Sequence, residues 1–272
     1  MRGVEGFGAK QHLHTDRLLT LSEDLPLVSV AADTRERIEA ALPAVQALAF
    51  DGLVTLERAR LLSGRIEPVA LEGPTKLTVY VGRHEGVHEA VVELLQRHGV
   101  AGATVLLGVD GTAHGERRRA RFFGANAQVP LMIISVGDGA QIAAALPELG
   151  ALLARPLVTL EGVQIYKRDG ERLGVPEGRN KLMVYGSAAL ADTLVRRLRR
   201  AGAAGATCLR GVWGYHGDHA PHGDSFWQLR RRAAVVTVIV DTAERIPDWF
   251  AIADELTAES GLVTGEVVRS AR

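Results

Sequence analysis

Apolar positions along this chain switch between the two-residue period of strands and the 3.6-residue period of helices, in one order that recurs. Leu77-Thr-Val-Tyr-Val81 is a short β-branched and aromatic run closed by Gly82, which predicts a strand. Val87, Val91, Leu94, Leu95 and His98 then fall at helical spacing, with Gly99 placed as a C-cap. Ala103-Thr-Val-Leu-Leu107 predicts a second strand, and a polar, Gly-containing stretch runs from Gly108 to Gln128. Val129–Val136 predicts a third strand, with Pro130 near its start, where a missing N–H is tolerated. Ile142, Leu146, Leu149 and Leu153 mark a second amphipathic helix, and Leu157–Ile165 the last strand. Two split βαβ halves within about 90 residues predict an α+β, ferredoxin-like (βαββαβ) unit: an antiparallel sheet with helices on one face.

The same order returns downstream. Lys76-Leu-Thr-Val-Tyr80 recurs as Lys181-Leu-Met-Val-Tyr185, and Leu157-Val-Thr-Leu-Glu161 as Leu262-Val-Thr-Gly-Glu266. Leu190, Leu194 and Leu198 form a helix stripe ended by Gly202; Ala233–Val240 predicts a strand, and Ile246, Phe250 and Ala253 share a helix face. Upstream only part of the unit is present. Gly3-Val-Glu-Gly6 matches Gly108-Val-Asp-Gly111 and Gly211-Val-Trp-Gly214, and Leu53-Val-Thr-Leu-Glu57 matches the last strands, but nothing there matches Lys76–Tyr80. That part predicts a strand at Leu27–Ala31 and a helix opened by Asp33 and Glu36 in capping-box spacing, with Ile38, Leu42, Val45 and Ala49 facing inward. The period of about 104 residues is too long for a solenoid repeat, so each copy reads as a small domain. The organisation is an incomplete repeat at 1–62 and full repeats at 76–167 and 181–268. The linkers, 63–75 and 168–180, are polar and rich in Gly and Pro.

Composition narrows the functional classes. Hydrophobic residues make up 47% of the 272, enough to build cores and to argue against disorder. Lys+Arg and Asp+Glu both number 32, so no global field draws the chain to nucleic acid or an anionic membrane. No apolar run reaches the roughly 18 residues of a membrane span, and no signal-peptide core follows Met1, so a cytoplasmic protein without membrane insertion is expected. The single cysteine, Cys208, excludes an intramolecular disulfide and reads as a packed strand residue.

Gly3-Val-Glu-Gly-Phe-Gly8, His12-Leu-His14, Leu21-Ser-Glu-Asp-Leu-Pro26 and Gly52-Leu-Val-Thr-Leu-Glu57 together resemble the bacterial PII-like family known as domain of unknown function number 190. Val100-Ala-Gly-Ala-Thr-Val and Ala203-Ala-Gly-Ala-Thr-Cys resemble the segment leading into that family's second strand, while the third copy has Arg231-Arg-Ala-Ala-Val in place of Ser-Glu-Asp-Leu-Pro. The resemblance implies the ferredoxin-like fold of PII and CutA proteins, trimeric assembly, and small ligands, often adenine nucleotides, in clefts between subunits. It also implies a long T-loop between strands two and three that contacts a membrane transporter or channel, a fluoride channel among the candidates. Tandem copies then suggest a single-chain pseudo-trimer, in which three bare sheet faces bury one another around a threefold axis. The incomplete first copy leaves two expectations open. The native start lies upstream of Met1, or another chain covers the exposed surface in a homo-oligomer or other assembly.

The candidate ligand-binding residues are Gly6, Phe7, Gly8 and His14 at the loop base, with Gly52, Val54 and Thr55 opposite. Glycines there would let the backbone approach a phosphate or adenine closely, or would simply form a flexible loop base. Leu-Val-Thr is equally a plain strand opening. His216, His219 and His222 lie three residues apart and define the alternative, a CutA-like metal site, although Pro221 and the glycines favour a polar loop. Glu116–Phe123 and Phe226–Arg232 combine Arg with aromatics in the T-loop positions and fit a solvated or partner-binding loop. No catalytic constellation stands out, Ser22, Glu23 and Asp24 being ordinary turn formers. The expected function is a PII-like regulatory protein, not an enzyme. A third reading is a structural interaction module without ligand.

Overall fold

A computed structural model describes residues 1–8, 14–15, 25–48, 52–82, 87–113, 116–119, 130–216, 222–223 and 234–271, and of residues 14–15, 111–113, 116–119, 216 and 222–223 the backbone alone. The first copy holds β1 (Glu5–Phe7), β2 (His14–Thr15), α1 (Arg35–Gln46), β3 (Thr55–Leu56) and β4 (Arg60–Ser63). The second holds β5 (Pro74–Gly82), α2 (Val87–Arg97), β6 (Gly102–Leu107), β7 (Asp110–Ala113), β8 (Glu116–Arg119), β9 (Pro130–Asp138), α3 (Gly139–Leu152), β10 (Leu157–Gly162), β11 (Gln164–Arg168) and β12 (Glu171–Arg172). The third holds β13 (Lys181–Gly186), α4 (Ala188–Arg200), β14 (Ala206–His216), β15 (His222–Gly223), β16 (Val235–Val240), α5 (Ile246–Leu256), β17 (Leu262–Glu266) and β18 (Arg269–Ser270).

The fold is mixed α+β around a 14-stranded antiparallel sheet. In the second copy the strands lie in the order β10-β5-β9-β6, and in the third β17-β13-β16-β14. Both read last, first, third, second. Helix ends follow local chemistry. Asp138 caps α3 by accepting from Ala140 N at 2.8 Å, and Ser187 caps α4 by accepting from Leu190 N at 3.2 Å. Just beyond α2 and α4, Gly99 and Gly202 take φ of +73° and +78°, the left-handed turn that a side chain resists.

The strands are apolar almost throughout because both sheet faces are covered. On β9, Leu131 and Ile133 face the α2–α3 side, whereas Ile134 and Val136 join a separate core. On β13, Leu182 and Val184 face α4 and α5, whereas Met183 and Tyr185 enter that same separate core. This second core lies where the sheet faces of the two full copies meet, and Met1 and Val28 of the first copy pack against it.

The copies are joined by strand exchange. The predicted strand Leu157–Ile165 breaks at Val163, and its continuation leaves the second copy's sheet for the third's. There β11 pairs with β17, Ile165 opposite Thr264. Likewise β4 of the first copy pairs with β10 of the second, Leu61 opposite Thr159. The circuit returns through β18 of the third copy, which pairs with β3 of the first, Ser270 opposite Thr55. Thr55, Thr159 and Thr264 occupy one place in the repeat, so the three pairings share one register.

A second set of exchanges runs the other way. β1 of the first copy pairs with β14, setting Glu5 opposite Cys208 and Phe7 opposite Ala206. The end of β14 pairs in the equivalent register with β6, setting Trp213 opposite Val105 and Tyr215 opposite Ala103. The corresponding segment of the second copy, β7, pairs with β8 of its own loop.

The first copy departs from expectation. Leu27–Ala31 forms no strand, only a bridge from Leu27 to Arg2, because a third strand in this fold lies between a first and a second that this copy lacks. Thr34, not Asp33, takes the N-cap position of α1 and makes no side-chain capping hydrogen bond, while the Asp33 carboxylate accepts from Thr34 N at 2.8 Å, so the capping box does not form. No residue of α1 is buried: Ile38 and Leu42 are half-covered, Val45 is exposed, and Ala49 lies outside the described residues. Their counterparts on α3, Ile142, Leu146 and Leu149, are fully buried. The apolar stripe is present on α1, but among the described residues no surface buries it.

Candidate functional site

Where the last strands of all three copies converge, each contributes the final glutamate of its Leu-Val-Thr-x-Glu run. The carboxylates of Glu57, Glu161 and Glu266 lie within 4.8 Å of one another. Two lysines enter from the first strands. Register places Lys76 directly opposite Glu161 and Lys181 directly opposite Glu266. Such cross-strand charge pairs support a sheet. Glu57 has no such partner, since β3 pairs only with β18 among the described residues.

Each lysine also reaches the neighbouring copy. Lys76 Nζ lies 2.7 Å from Glu266, 3.3 Å from Glu161 and 3.5 Å from Glu57. Lys181 Nζ lies 2.7 Å from Glu57 and 2.9 Å from Glu266. The nearest contact of each lysine is therefore to the next copy's glutamate. Glu161 is the one glutamate that receives no such contact. Its carboxyl is pushed up to about 7, mainly by burial, with the Glu266 and Glu57 charges adding to it and Lys76 and Lys181 opposing it. Burial also opposes ionisation of Glu57, yet Lys181 and Lys76 hold it below the usual carboxylate range. Burial disfavours the Lys76 ammonium too, but Glu266, Glu161 and Glu57 overcome it and raise its pKa. Both lysines bind Glu266 through Oε2; its Oε1 is buried without a hydrogen-bond partner. Three carboxyls face two ammoniums, so the cluster carries one excess negative charge or one proton.

The proposed loop-base residues are divided between two places. Gly6 and Phe7 form β1 against β14, and His14 pairs with Gly6 through its backbone. A Cβ on Gly6 would lie 2.6 Å from Ala206 O, so close strand approach requires glycine there. Phe7 is buried in the third copy's core, which makes it a packing residue of that copy. Gly8 is exposed. Beside β1, a shallow crevice runs between Val4 and Glu5, the start of α4, and Cys208 and Arg210. Gly52 is exposed, while Val54 and Thr55 are half-buried beside β18 in a different sheet, so the two groups of residues are not brought together by strand pairing. His216 ends β14, His222 pairs with Gly214 through its backbone, and His219 lies outside the described residues, as do His12, Ser22, Glu23 and Asp24. Cys208 is buried, and burial pushes its thiol up to about 12.

The charge cluster was not singled out by sequence reasoning, although all five residues stand inside the recurrences quoted for the repeat. The available signal was an ionisable residue repeated at one place in otherwise apolar strand ends.

The model of the family described as "Uncharacterized ACR", domain of unknown function number 190, matches residues 1–61, 75–165 and 181–270. The chain belongs to that family. Among solved structures, an anthrone oxidase-like protein aligns over 78% of this chain and 97% of its own, at 13% identity and a TM-score of 0.20, too low to indicate a shared fold. Among the described residues no helix is long and apolar enough to cross a membrane.

Proposed function

We propose that this chain is a PII-like regulatory protein, built as a single-chain pseudo-trimer of ferredoxin-like units, that binds a small anionic metabolite between copies. The observation that carries the reading is the closed circuit of equivalent strand pairings, β4 on β10, β11 on β17 and β18 on β3. The strand order last-first-third-second in both full copies supports the ferredoxin-like assignment. The shared register supports a threefold relation, because unrelated contacts between domains would not repeat residue for residue. The second core supports burial of sheet faces against one another.

The ligand site in this reading lies at a junction of copies. The crevice beside β1 is formed by the first and third copies and carries both Glu5 and Arg210 on its wall. An adenine nucleotide is the ligand class that the family resemblance favours. Ligand binding would select one arrangement of the T-loops at 108–128 and 217–233, and those loops would act on a transporter or channel.

Thermal-shift measurements with ATP, ADP, AMP and cyclic AMP, and with zinc, copper and nickel, test the proposal. Stabilisation by a nucleotide is the expected result. Stabilisation by metal alone would instead favour a CutA-like role for His216, His219 and His222. No response to either series would leave a structural interaction module.

A further inference from the structure

We infer that each copy carries a lock for the exchanged strand it receives, built from one helix position and one strand position, so that the exchanged tails cannot trade places. The tails are the segments that begin with β4, β11 and β18. The inference rests on the strand circuit in the reading above and not on its ligand.

The helix position comes from the repeat. Ile38, Ile142 and Ile246 hold one place, and Leu42, Leu146 and Phe250 the place one turn on. One turn further stand Gln46, Gly150 and Asp254, three chemically unlike residues. Each meets the tail its copy receives, and each does so differently. Gln46 Nε2 donates to Ala271 O at 3.1 Å. A Cβ on Gly150 would lie 3.0 Å from Ile66 Cβ, so bare backbone there makes room for a buried isoleucine. Asp254 accepts from Lys167 Nζ at 2.6 Å through Oδ1 and again at 2.6 Å through its carbonyl, and Arg172 reaches its Oδ2 at 3.0 Å. One position thus meets a carbonyl, an aliphatic side chain and a pair of cations. The tails differ to match. Leu62 lies opposite Val158, whereas the buried Lys167 lies opposite the equivalent Val263.

The strand position follows the threonine shared by the last strands. After Thr55, Thr159 and Thr264 come Leu56, Leu160 and Gly265. Tyr166 lies over Gly265, and a Cβ there would collide with its ring and hydroxyl. Tyr166 is the extra residue of a bulge between Ile165 and Lys167, and the pairing of β4 with β10 has no such bulge. Although it belongs to the second copy in sequence, Tyr166 is fully buried in the third copy's core, edge-on to Phe250 at 5.3 Å. The bulged tail therefore fits the copy whose last strand carries no side chain at that place.

Tails placed on the wrong copy meet both obstacles. On the second copy, Tyr166 would strike Leu160, and Lys167 would be buried beside Gly150 without a carboxylate. On the third, Ile66 would press on Asp254 and leave its charge without a cation. Mutual rejection of this kind separates partners that share one backbone shape. Three related copies offer more than one order of closure, and the observed order is the one that fills each lock.

Double substitutions in the full 272-residue chain test the inference, with two engineered disulfides as local reporters. Ile165→Cys with Thr264→Cys reports on the second tail, and Leu61→Cys with Thr159→Cys on the first. If neither forms in the parent chain, the pseudo-trimeric reading fails before the locks do. Gly265→Leu should abolish the second-tail reporter, spare the first-tail reporter and lower Tm by about 5 °C or more. Deleting Tyr166 from the same chain should restore the reporter and at least half of the lost Tm. Gly150→Asp should also lower Tm, and Ile66→Lys in that chain should recover at least half of the loss. This second pair, at a half-buried helix position, decides the matter if Gly265→Leu does not fold. Losses that simply add in the Gly150 pair, or a Gly265→Leu chain that keeps its second-tail reporter, overturn the proposal.

Discussion

Replacing Glu161 by Gln should stabilise the protein at alkaline pH and leave it unchanged at acid pH. The ordinary value of a glutamate carboxyl is 4.5, and burial beside Glu266 and Glu57 pushes Glu161 up to about 7. Each tenfold change in proton affinity is worth about 1.4 kcal/mol, so ionising Glu161 in the folded chain costs roughly 3 kcal/mol. Between pH 4.5 and about 7 the folded protein keeps a proton that the unfolded chain has released. Stability from this group is therefore full below the lower value, falls as pH rises through the window, and stays low above it. Glutamine imitates the protonated carboxyl at every pH. Urea midpoints at pH 4 should nearly coincide for the two proteins, and at pH 8.5 the variant should be more stable by roughly 2–3 kcal/mol. An equal difference at both pH values, or a variant less stable at pH 8.5, would refute the reasoning. It would mean that Lys76, at 3.3 Å, compensates the carboxylate fully.

Lys181→Met should destabilise by about 1–3 kcal/mol in urea unfolding, because Glu57 and the buried Glu266 lose a partner at 2.7 and 2.9 Å while Lys76 stays beside both. Leu146→Ala should cost about 2–5 kcal/mol, whereas its counterpart Leu42→Ala, half-covered on a helix with no buried residue, should cost less than about 1 kcal/mol. Gly214→Ala should disrupt the β14–β6 pairing, since its Cβ would collide with Ala103 O; loss of amide protection at Val105 in hydrogen exchange would report it. Cys208, buried and with its thiol pushed up to about 12, should resist Ellman's reagent at pH 8 until the protein is denatured.

Much of the fold was legible because it depends on local period. Val87 to Leu95 fall in α2, with His98 just past its end at Arg97; Ile142 to Leu149 form the buried face of α3, and Pro130 is the first residue of β9. Less legible were features set by partners distant in the chain. Nothing local announces that Gln164–Arg168 leaves its own sheet for that of the third copy, because a β-strand pattern names a buried face and not a neighbour. For the same reason Leu27–Ala31 carries a strand-like composition without forming a strand. Phe7 looked like a residue of a ligand loop from its glycine neighbours, yet it fills the third copy's core, since Gly6 lets β1 approach Ala206 closely. The charge cluster was hidden by dispersion: four of its residues come from four strands and Glu57 from just beyond β3, and only the repeat relates them.

Strand exchange between copies also bears on how the chain withstands proteolysis. Cutting the backbone within 64–73 or 173–180 would separate the copies in sequence but not in space. β4 would stay paired with β10, and β11 with β17. The connecting segments therefore resemble the thread of an assembled puzzle more than its hinges. A nicked molecule should run as fragments in a denaturing gel and as one particle in a native column, with its junctions intact long after covalent continuity is lost.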